Sequence, residues 1–499
     1  MNEKLHEALN EISDEHLAEA ESFNRQRRPQ WVAAIAAMLA FVFAISLFFV
    51  LKPSSSPTNM EGSSTGNTSS TPNYTFTTAP SYLRHVVAYP SYPELVVIPN
   101  QADFDDYEAY DAAYEAWRNC QRNQYNQPDG YANSLSPFFA DSIRLLLSNQ
   151  ENSVYAPLNV YMALAMLAET TDSNSQQQIL DLLGADSIEQ LRQQASYMWN
   201  AHYAADGRSD LRLANALWLD ESYNFHQSTP NVLAAYYYTA TFRGDLGTAE
   251  MDEQLRRWLN ENTGELLYDQ TQNLSMDPET VFALASTVYF SARWDSQFSE
   301  DKTKDAVFHA ASGDMTTPFM NKSSNEISYY WGSNFSAVRL ALSGDNDMWL
   351  ILPDEGFTVQ DVLESDEYLR MTLDPQNWEN RRSGATIHLS LPKFDIASSR
   401  DLIADMQALG ITDVFDSSRA DFSPLTDASG LAITGFYHAA RVTIDEDGVV
   451  GAAYTVMTGP GAMPPDADGE IYFTLDRPFL FMVSSQDNLP IFAGTVMEP

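Results

Sequence analysis

The sequence predicts an α+β domain over residues 131–499 of the 499-residue chain. Helical spacing of apolar residues dominates the first part of this block, over residues 131–215. Strand patterns dominate the later part, and the chain shows no internal repeat. Helices that come first and strands that mostly follow, within one block, predict large antiparallel or mixed sheets.

The first predicted elements are helices. The segments "SPFFADSIRLLLSNQ" and "LNVYMALAMLAET" each carry one apolar stripe. A further helix, "DEQLRRWLNENTGELL", is closed by Gly264. The segment "TVFALASTVYFSARW" that follows is almost continuously apolar, which is typical of a strand in the middle of a sheet buried on both faces.

The remaining elements are mostly strands. They surround one more predicted helix, "SRDLIADMQALG". The predicted strands are "SAVRLALS", "DMWLILP", "ATIHLSLPKFDI", "VTID", "RPFLFMVSS" and "PIFAGTVM".

An apolar segment precedes the domain. Residues 31–51 contain no charge and are long enough to cross a hydrocarbon core about 30 Å thick. Three arginines lie just before this segment, whereas only Lys52 follows it closely, with the next base at Arg84. This asymmetry predicts an uncleaved signal anchor, with residues 1–30 in the cytoplasm and everything after it outside the cell. The three arginines are Arg25, Arg27 and Arg28.

Two further segments separate the anchor from the domain. Residues 52–80 are rich in Ser, Thr, Asn and Pro, which predicts a disordered stalk. Residues 81–130 are rich in Tyr and Asp, and the sequence assigns this spacer no role.

Composition excludes several classes of function. A net charge of −40 argues against a nucleic-acid partner, because phosphate binding requires clustered Lys and Arg. The single cysteine, Cys120, excludes an internal disulfide framework. Metal-binding motifs such as HExxH and the G-x-S-x-G, Walker A and Rossmann patterns are missing from the sequence. We therefore expect no enzyme, no cofactor and no metal site.

A long segment near the C-terminus raises a separate question. Residues 444–465, "IDEDGVVGAAYTVMTGPGAMPP", lie where a connection is expected, and connections of this length are usually functional or disordered. Yet the segment contains strand-forming residues, not those of a solvated linker: Val449, Val450, Tyr454, Thr455 and Val456.

Many of these phrases resemble a known family. "NSVYAPLNVYMALAMLAETTDSNSQQQILDLLG", "LRLANALWLD", "WLNENTGELL", "VYFSARWDSQF", "FSAVRLAL", "LPKFDI", "LGITDVF", "HAARVTIDEDG" and "DRPFLFMV…PIFAGTV" resemble serpin segments, in serpin order. The resemblance implies three β-sheets, eight or nine helices and an exposed reactive-centre loop, which is the segment 444–465. It also implies a covalent suicide inhibitor of serine proteases, whose cut loop inserts into the central sheet.

The resemblance assigns a hinge at the start of the loop, at Glu446 and Gly448. If the loop inserts as a strand, side chains alternate between its two faces. One face carries nothing larger than valine, and the one bulky side chain, Tyr454, falls on the other face. No proline lies between Gly448 and Gly459, so every residue of this stretch has the backbone N–H that pairing in a sheet requires. The small face consists of Val449, Gly451, Ala453 and Thr455, of which Val449 departs from the small hydroxyl residue usual in the family.

The resemblance also implies a cluster beneath the central sheet and a tryptophan at its opening end. His438 matches the histidine of the cluster. Asn159 stands where a serine is usual and Ser286 where an asparagine is usual, so we expect these three residues to rebuild the network with exchanged donors and acceptors. Trp294 matches the tryptophan at the top of the opening sheet.

The scissile bond has two candidates. Counting from Gly448 gives Ala462–Met463, whereas counting back from the following prolines gives Gly461–Ala462. Either residue fits a shallow specificity pocket, which favours an elastase- or subtilisin-like target. A shifted register would favour chymotrypsin-like enzymes, and a trypsin-like target is excluded because no Lys or Arg lies between Arg441 and Arg477.

The sequence therefore predicts a monomeric inhibitor anchored in the cell membrane, with its serpin-like domain outside the cell. The anchor and the lack of disulfides favour a bacterial surface. The alternative is a non-inhibitory binding module with the same fold on a stalk.

Overall fold

The computed structural model describes residues 84–93, 95–148, 151–205, 207–449 and 469–499. The predicted cytoplasmic tail, anchor and stalk therefore lie outside the described residues. Among the described residues, no helix combines the length and the hydropathy needed to span a membrane.

The described residues contain eleven α-helices, more than the eight or nine expected. The expectation was wrong because several helices are single turns in connections, too short to show an apolar stripe, and because α1 precedes the predicted domain. The helices are α1 (Tyr107–Tyr125), α2 (Ser136–Leu146), α3 (Pro157–Thr170), α4 (Ser173–Leu182), α5 (Ile188–Ala201), α6 (Ser228–Tyr236), α7 (Ala249–Asn262), α8 (Tyr268–Thr271), α9 (Val359–Leu363), α10 (Glu367–Leu373) and α11 (Ile403–Ala408).

The described strands form three sheets, as expected. In chain order they are β1 (Val86–Ala88), β2 (Ser153–Tyr155), β3 (Ala204–Ala205), β4 (Ser209–Asp220), β5 (Thr239–Gly244), β6 (Phe282–Arg293), β7 (Lys304–Ala310), β8 (Gly313–Ser324), β9 (Ser328–Trp331), β10 (Phe335–Leu342), β11 (Asn346–Pro353), β12 (Arg381–Arg382), β13 (Thr386–Pro392), β14 (Phe394–Asp401), β15 (Tyr437–Ile444), β16 (Gly448–Val449), β17 (Glu470–Thr474), β18 (Phe479–Ser484) and β19 (Pro490–Val496).

The largest sheet is the one that positions the hinge. Its strand order is β1-β5-β4-β6-β16-β15-β14, with β3 paired to β4. The second sheet has the order β12-β9-β10-β11-β18-β19-β2, and the third has β17-β13-β8-β7. The long apolar strand β6 lies in the middle of the largest sheet, as its sequence predicted. Residues 209–215, predicted to be helical, instead begin β4, where they pair with β6.

Helix α3 lies between the two largest sheets. It begins with Pro157 in its first turn. Proline is tolerated there because a backbone N–H at this position would have no partner within the helix. All but one of its residues are buried, and it packs against both β6 and β19. A helix that is apolar on every side is typical of this position in the middle of a domain.

The spacer over residues 81–130 is in part attached to the largest sheet. Strand β1 pairs antiparallel with β5 and so adds an edge strand. The ring of Tyr92 stacks on Trp199 at 5.7 Å and on Tyr203 at 5.8 Å. Helix α1 packs against α5. Within this range β1, Tyr92 and α1 therefore contact the folded domain, which the sequence did not predict.

Candidate functional site: the hinge of the central sheet

In the centre of the largest sheet, strands β6 and β15 are separated by a gap, which we call the seam. Strands β6 and β15 are neighbours in the sheet only through β16, which lies between their upper ends. Gly448 pairs with Arg293 and Val449 with Ala292 on β6, while Val449 also pairs with Ile444 on β15. Among the described residues, β6 and β15 form no ladder with each other. Since neighbouring strands lie about 4.8 Å apart, β16 separates these two by about 10 Å.

The hinge segment is a tight reversal of the chain. The Asp445 N–H donates to the Gly448 carbonyl at 3.1 Å, which closes the loop between β15 and β16. The Asp445 carboxylate accepts from the N–H groups of Asp447 and Gly448 at 2.9 and 3.2 Å. Asx turns of this kind fix a reversal without an extended ladder. The chain therefore reverses direction directly after β15 and enters the seam between β15 and β6.

Gly448 is required by close approach to β6. A Cβ atom at this position would lie 2.7 Å from the Arg293 Cα and would also overlap the Ala292 carbonyl. Both obstacles are backbone, which cannot move aside cheaply. The residue predicted at the hinge is thus a glycine because the incoming strand contacts β6 there.

Val449 lies on the inner face of the sheet. Its side chain is 3% exposed and belongs to an apolar cluster that includes Ala292, Trp294 and Ile444. The valine at this position, which departs from the small hydroxyl residue that the resemblance implies, therefore has a place in the core. Because side chains alternate along a strand, the face that Val449 begins is the predicted small face of the loop.

Glu446 is held by two groups from other parts of the chain. Its carboxylate accepts from the Lys393 ammonium at 2.5 Å and from the Thr303 hydroxyl at 2.6 Å. Burial raises the pKa of Glu446, but the hydrogen bonds from Lys393 and Thr303 outweigh it, so the pKa lies below its usual value. The carboxylate is therefore ionised at neutral pH and anchors the hinge turn.

Trp294 lies directly against the turn. Its indole N–H donates to the Asp445 carbonyl at 2.8 Å, and its backbone N–H donates to the Asp447 carbonyl at 3.1 Å. The ring is 2% exposed and packs edge-on against Phe298, whose N–H donates to the Glu446 carbonyl. The segment after β6 thus supplies three hydrogen bonds to backbone carbonyls of the turn, and the Gln297 amide donates a fourth to the Asp447 carboxylate at 3.3 Å.

The predicted cluster lies lower in the same seam, where helix α3 begins. The Ala156 N–H donates to the Nε2 atom of His438 on β15 at 3.1 Å. The Asn159 side chain donates to the backbone carbonyl of Ser286 on β6 at 3.0 Å. The Ser286 hydroxyl is buried with no hydrogen-bond partner among the described residues. The helix therefore holds each strand by a separate bond, and Ser286 takes part through its backbone instead of the expected side chain.

The pKa of His438 predicts a loss of stability in acid. Burial lowers this pKa from 6.5 to about 4. The unfolded chain therefore binds more protons than the folded chain between about pH 4 and pH 6.5, so the free energy of unfolding falls as pH drops through that window. Burial also lowers the pKa of His202, which acts in the same direction. We expect His438 to account for about 2 kcal/mol lost between pH 7 and pH 5.

The measurement is denaturant unfolding at the two pH values. His438→Gln should retain a smaller difference between them than the parent chain. His309→Gln is the control, because His309 is exposed and Asp314 raises its pKa, so removing it cannot reproduce the effect. An unchanged difference in His438→Gln would contradict the assignment.

The middle of the seam is a cavity. Val288, Tyr289 and Phe290 on β6 line one side, and Ala439, Ala440 and Arg441 on β15 line the other. The segment that follows α7 covers it with Leu266 and Leu267, and the Arg441 guanidinium donates to the Leu266 carbonyl at 3.4 Å. This segment would have to move for a longer strand to enter between β6 and β15.

The rest of the predicted site lies outside the described residues. This applies to Gly451, Ala453 and Thr455 of the small face and to the scissile candidates Gly461, Ala462 and Met463. Sequence reasoning also missed three residues that hold the hinge: Asp445, Thr303 and Lys393. The signal for Lys393 was available, since it is the one base in the apolar phrase "SLPKFDI".

The centre of the largest sheet is thus a class-defining feature: strands β6 and β15 are joined there only through Gly448 and Val449 among the described residues. The family model "Serpin (serine protease inhibitor)" matches residues 136–499. The chain therefore belongs to the serpin family, which is characterised by inhibitors of serine proteases.

Individual relatives support the same assignment. The chain is 27% identical over 379 residues to an alpha-1-antiproteinase of Callosciurus caniceps, which covers 74% of this chain and 89% of the relative. It is 26% identical over 373 residues to plasminogen activator inhibitor 1 of Sus scrofa, with 70% and 88% covered. The structure of the thermophilic serpin tengpin in the native state matches with a TM-score of 0.65 at 25% identity, covering 75% of this chain and 95% of that one.

Proposed function

We propose that this protein is a membrane-anchored extracellular serpin that traps serine proteases by a covalent suicide mechanism. The observation that carries the proposal is the position of Gly448 and Val449, which already lie in the seam between β6 and β15. Because these first two residues of the loop are already paired in the central sheet, the residues after them can extend the same strand between β6 and β15. The uncharged apolar sequence of residues 31–51 and the arginines before it support the proposed anchor and location.

The proposed mechanism follows from the family. The protease serine hydroxyl attacks the carbonyl carbon of Gly461 or Ala462, the peptide bond breaks, and the new amino terminus leaves. The loop residue then remains joined to the serine as an ester. With its C-terminal end released, the segment beyond Val449 is free to continue down the seam and to carry the acyl-enzyme with it.

The small residue that donates the acyl group favours a protease with a shallow specificity pocket, elastase-like or subtilisin-like. Met457 or Met463 would favour a chymotrypsin-like enzyme instead if the register shifts. Because no Lys or Arg lies between Arg441 and Arg477, a trypsin-like target is not expected.

The test is incubation with elastase or subtilisin followed by denaturing electrophoresis. We expect a band at the summed mass of protease and serpin that resists boiling in detergent. Treatment with hydroxylamine, which cleaves esters, should remove it. Clean cleavage of the loop with no such band at any ratio of the two proteins would sink the inhibitor assignment.

That outcome would favour the alternative, a non-inhibitory binding module on a stalk. The fold itself allows it, since a structure described as thyroxine-binding globulin complexed with thyroxine matches with a TM-score of 0.62 at 22% identity. The hinge argues the other way, because Val449 and the small residues after it present no obstacle to insertion.

A further inference from the structure

The segment between residue 84 and the end of α1 takes no part in the proposed mechanism. It precedes the predicted domain, yet it lies along one side of the largest sheet. Strand β4 has one end near the hinge, where Ser209 pairs with Ala292, and β5 pairs with the other half of β4. Strand β1 pairs with β5 there. The segment therefore meets the sheet first at the end that is far from the hinge.

In the middle of its course the segment contacts a strand and a helix at once. Trp199 on α5 and Tyr238, the residue before β5, stack with their ring centres 3.7 Å apart. The ring of Tyr92 stacks on both of them, with centres 5.7 and 6.4 Å away. The indole N–H of Trp199 also donates to the Leu213 carbonyl of β4 at 3.1 Å. Tyr92 therefore reinforces the contact that holds β4 and β5 to α5.

At the hinge end of β4 the segment makes two more contacts. A Cβ atom on Gly207 would lie 2.9 Å from a methyl carbon of Val97 and 3.4 Å from one of Ile98, so the chain before α1 packs directly on the turn that leads into β4. The Arg208 guanidinium lies 5.3 Å from the ring centre of Trp117 on α1, and this ring is buried. A cation over an indole face is attracted by the ring. Helix α1 in turn packs against α5.

Arg208 is two hydrogen bonds away from the hinge pair. Its carbonyl accepts from the Ser343 hydroxyl at 2.6 Å, and the oxygen of that hydroxyl accepts from the Arg293 N–H at 3.0 Å. Arg293 is the residue of β6 that pairs with Gly448. The contact between Trp117 and Arg208 therefore supports the part of the sheet in which the hinge lies.

These contacts all lie on the β6 side of the seam. Strands β5, β4 and β6 are paired with one another, so they move as one unit. To admit a longer strand, this unit must move away from β15 across the helices beneath it, because α3 packs against β6 and α5 packs against α3. The segment joins the strands of this unit to α5, through Tyr92 and through α1, so the movement would have to break its contacts.

We propose that the segment from residue 84 to the end of α1 is a brace that retards opening of the seam while the loop is uncut. The inference rests on the proposed function, because only a sheet that admits a strand needs such a brace. An uncut loop that entered the sheet would no longer be available to a protease. The brace therefore lengthens the time for which the uncut chain stays active.

The test is hydrogen exchange of the uncut, full-length chain in detergent micelles, read by mass spectrometry of peptides that cover β4, β6 and β16. Tyr92→Ala and Trp117→Ala should each raise exchange in these strands about tenfold, because paired amides exchange through local opening. Tyr107→Ala is the matched control. It removes a ring from the same segment, but this ring is 66% exposed and contacts Tyr110 on its own helix, so exchange should stay unchanged.

A second pair of variants covers the case in which Trp117→Ala does not fold. Arg208→Gln removes the cation from the indole face, and it should raise exchange at the hinge ends of β4 and β6 about threefold. Arg208 also forms an ion pair with Asp345 at 3.4 Å. Asp345→Asn removes only that ion pair, so it is the control and should have the smaller effect.

Two results would overturn the proposal. One is unchanged exchange in β4 and β6 when the Tyr92 and Trp117 rings are removed. The other is an increase that Tyr107→Ala matches, or that extends equally to β13 in the third sheet, since either would indicate a general loss of stability. Exchange is measured without a protease. Faster exchange in the central strands together with no covalent band would therefore support the brace and would count against the proposed function alone.

Discussion

Ala453→Arg is expected to abolish covalent trapping while the loop remains cleavable. Val449 is buried on the inner face of the sheet, and side chains alternate along a strand. Ala453 lies four residues further on, so it points to the same face when the strand continues into the seam. On that face an arginine would have to enter the apolar interior between the sheet and the helices beneath it.

The size of the effect follows from the charge. Burying an unpaired charge costs several kcal/mol. If about 3 kcal/mol of this cost appears in the barrier to insertion, insertion slows about a hundredfold. Trapping depends on insertion being faster than hydrolysis of the acyl-enzyme, so the variant should be turned over as a substrate.

The matched control is Ala452→Arg. It introduces the same residue one position earlier, on the face that carries Tyr454 and that is predicted to remain outward. We expect this variant to trap protease at close to the parent ratio. The measurement is the number of inhibitor molecules consumed per protease inactivated, determined by titration of protease activity and by electrophoresis. Equal loss in the two variants would contradict the assignment of faces.

Much of the fold was predictable because it depends on local patterns. The segment "TVFALASTVYFSARW" predicted a central strand, and β6 is central, because a strand buried on both faces must be apolar throughout. The helix "SRDLIADMQALG" was predicted to start too early. Residues 399–401 pair with Ala439, His438 and Tyr437 on β15 and extend β14, so tertiary pairing overrides the local helical pattern.

Residues of the site could be predicted from the sequence only where a single residue within a local motif identifies the position. Gly448, Glu446 and Trp294 were identified, and the structure places all three at the same turn. The groups that hold Glu446 could not be found by spacing, because Thr303 and Lys393 are far from it in sequence. The seam between β6 and β15 is likewise a property of sheet order, which no single segment encodes.

Cleavage of the loop is expected to raise the unfolding temperature by more than about 10 °C. A strand of about a dozen residues forms a similar number of hydrogen bonds, each contributing about 0.5–1.5 kcal/mol net, or about 10 kcal/mol in total. In a domain of this size, each kcal/mol raises the unfolding temperature by about 1–2 °C, extrapolated from smaller domains. Subtilisin-cleaved and uncleaved chains should be compared by thermal unfolding after removal of the protease.

The structural basis of this stabilisation is the seam. Among the described residues, β6 and β15 gain a shared partner only from Gly448 and Val449, at the top. Below that point a cavity lies between Tyr289 and Ala440. An inserted strand would fill it and would pair with both β6 and β15. Cleaved Ala453→Arg should show a smaller rise than the cleaved parent, because the charge opposes insertion in the product as well as in the barrier.

The unfolding temperature of the cleaved chain distinguishes slow insertion of the strand from no insertion at all, whereas electrophoresis alone does not distinguish them. If no covalent band forms but the cleaved chain is strongly stabilised, the strand inserts too slowly to trap a protease, and Val449 at the hinge becomes the residue to change to threonine. If cleavage leaves the unfolding temperature unchanged, the strand does not insert at all. In that case the seam is a permanent feature of the sheet, and the binding-module alternative stands.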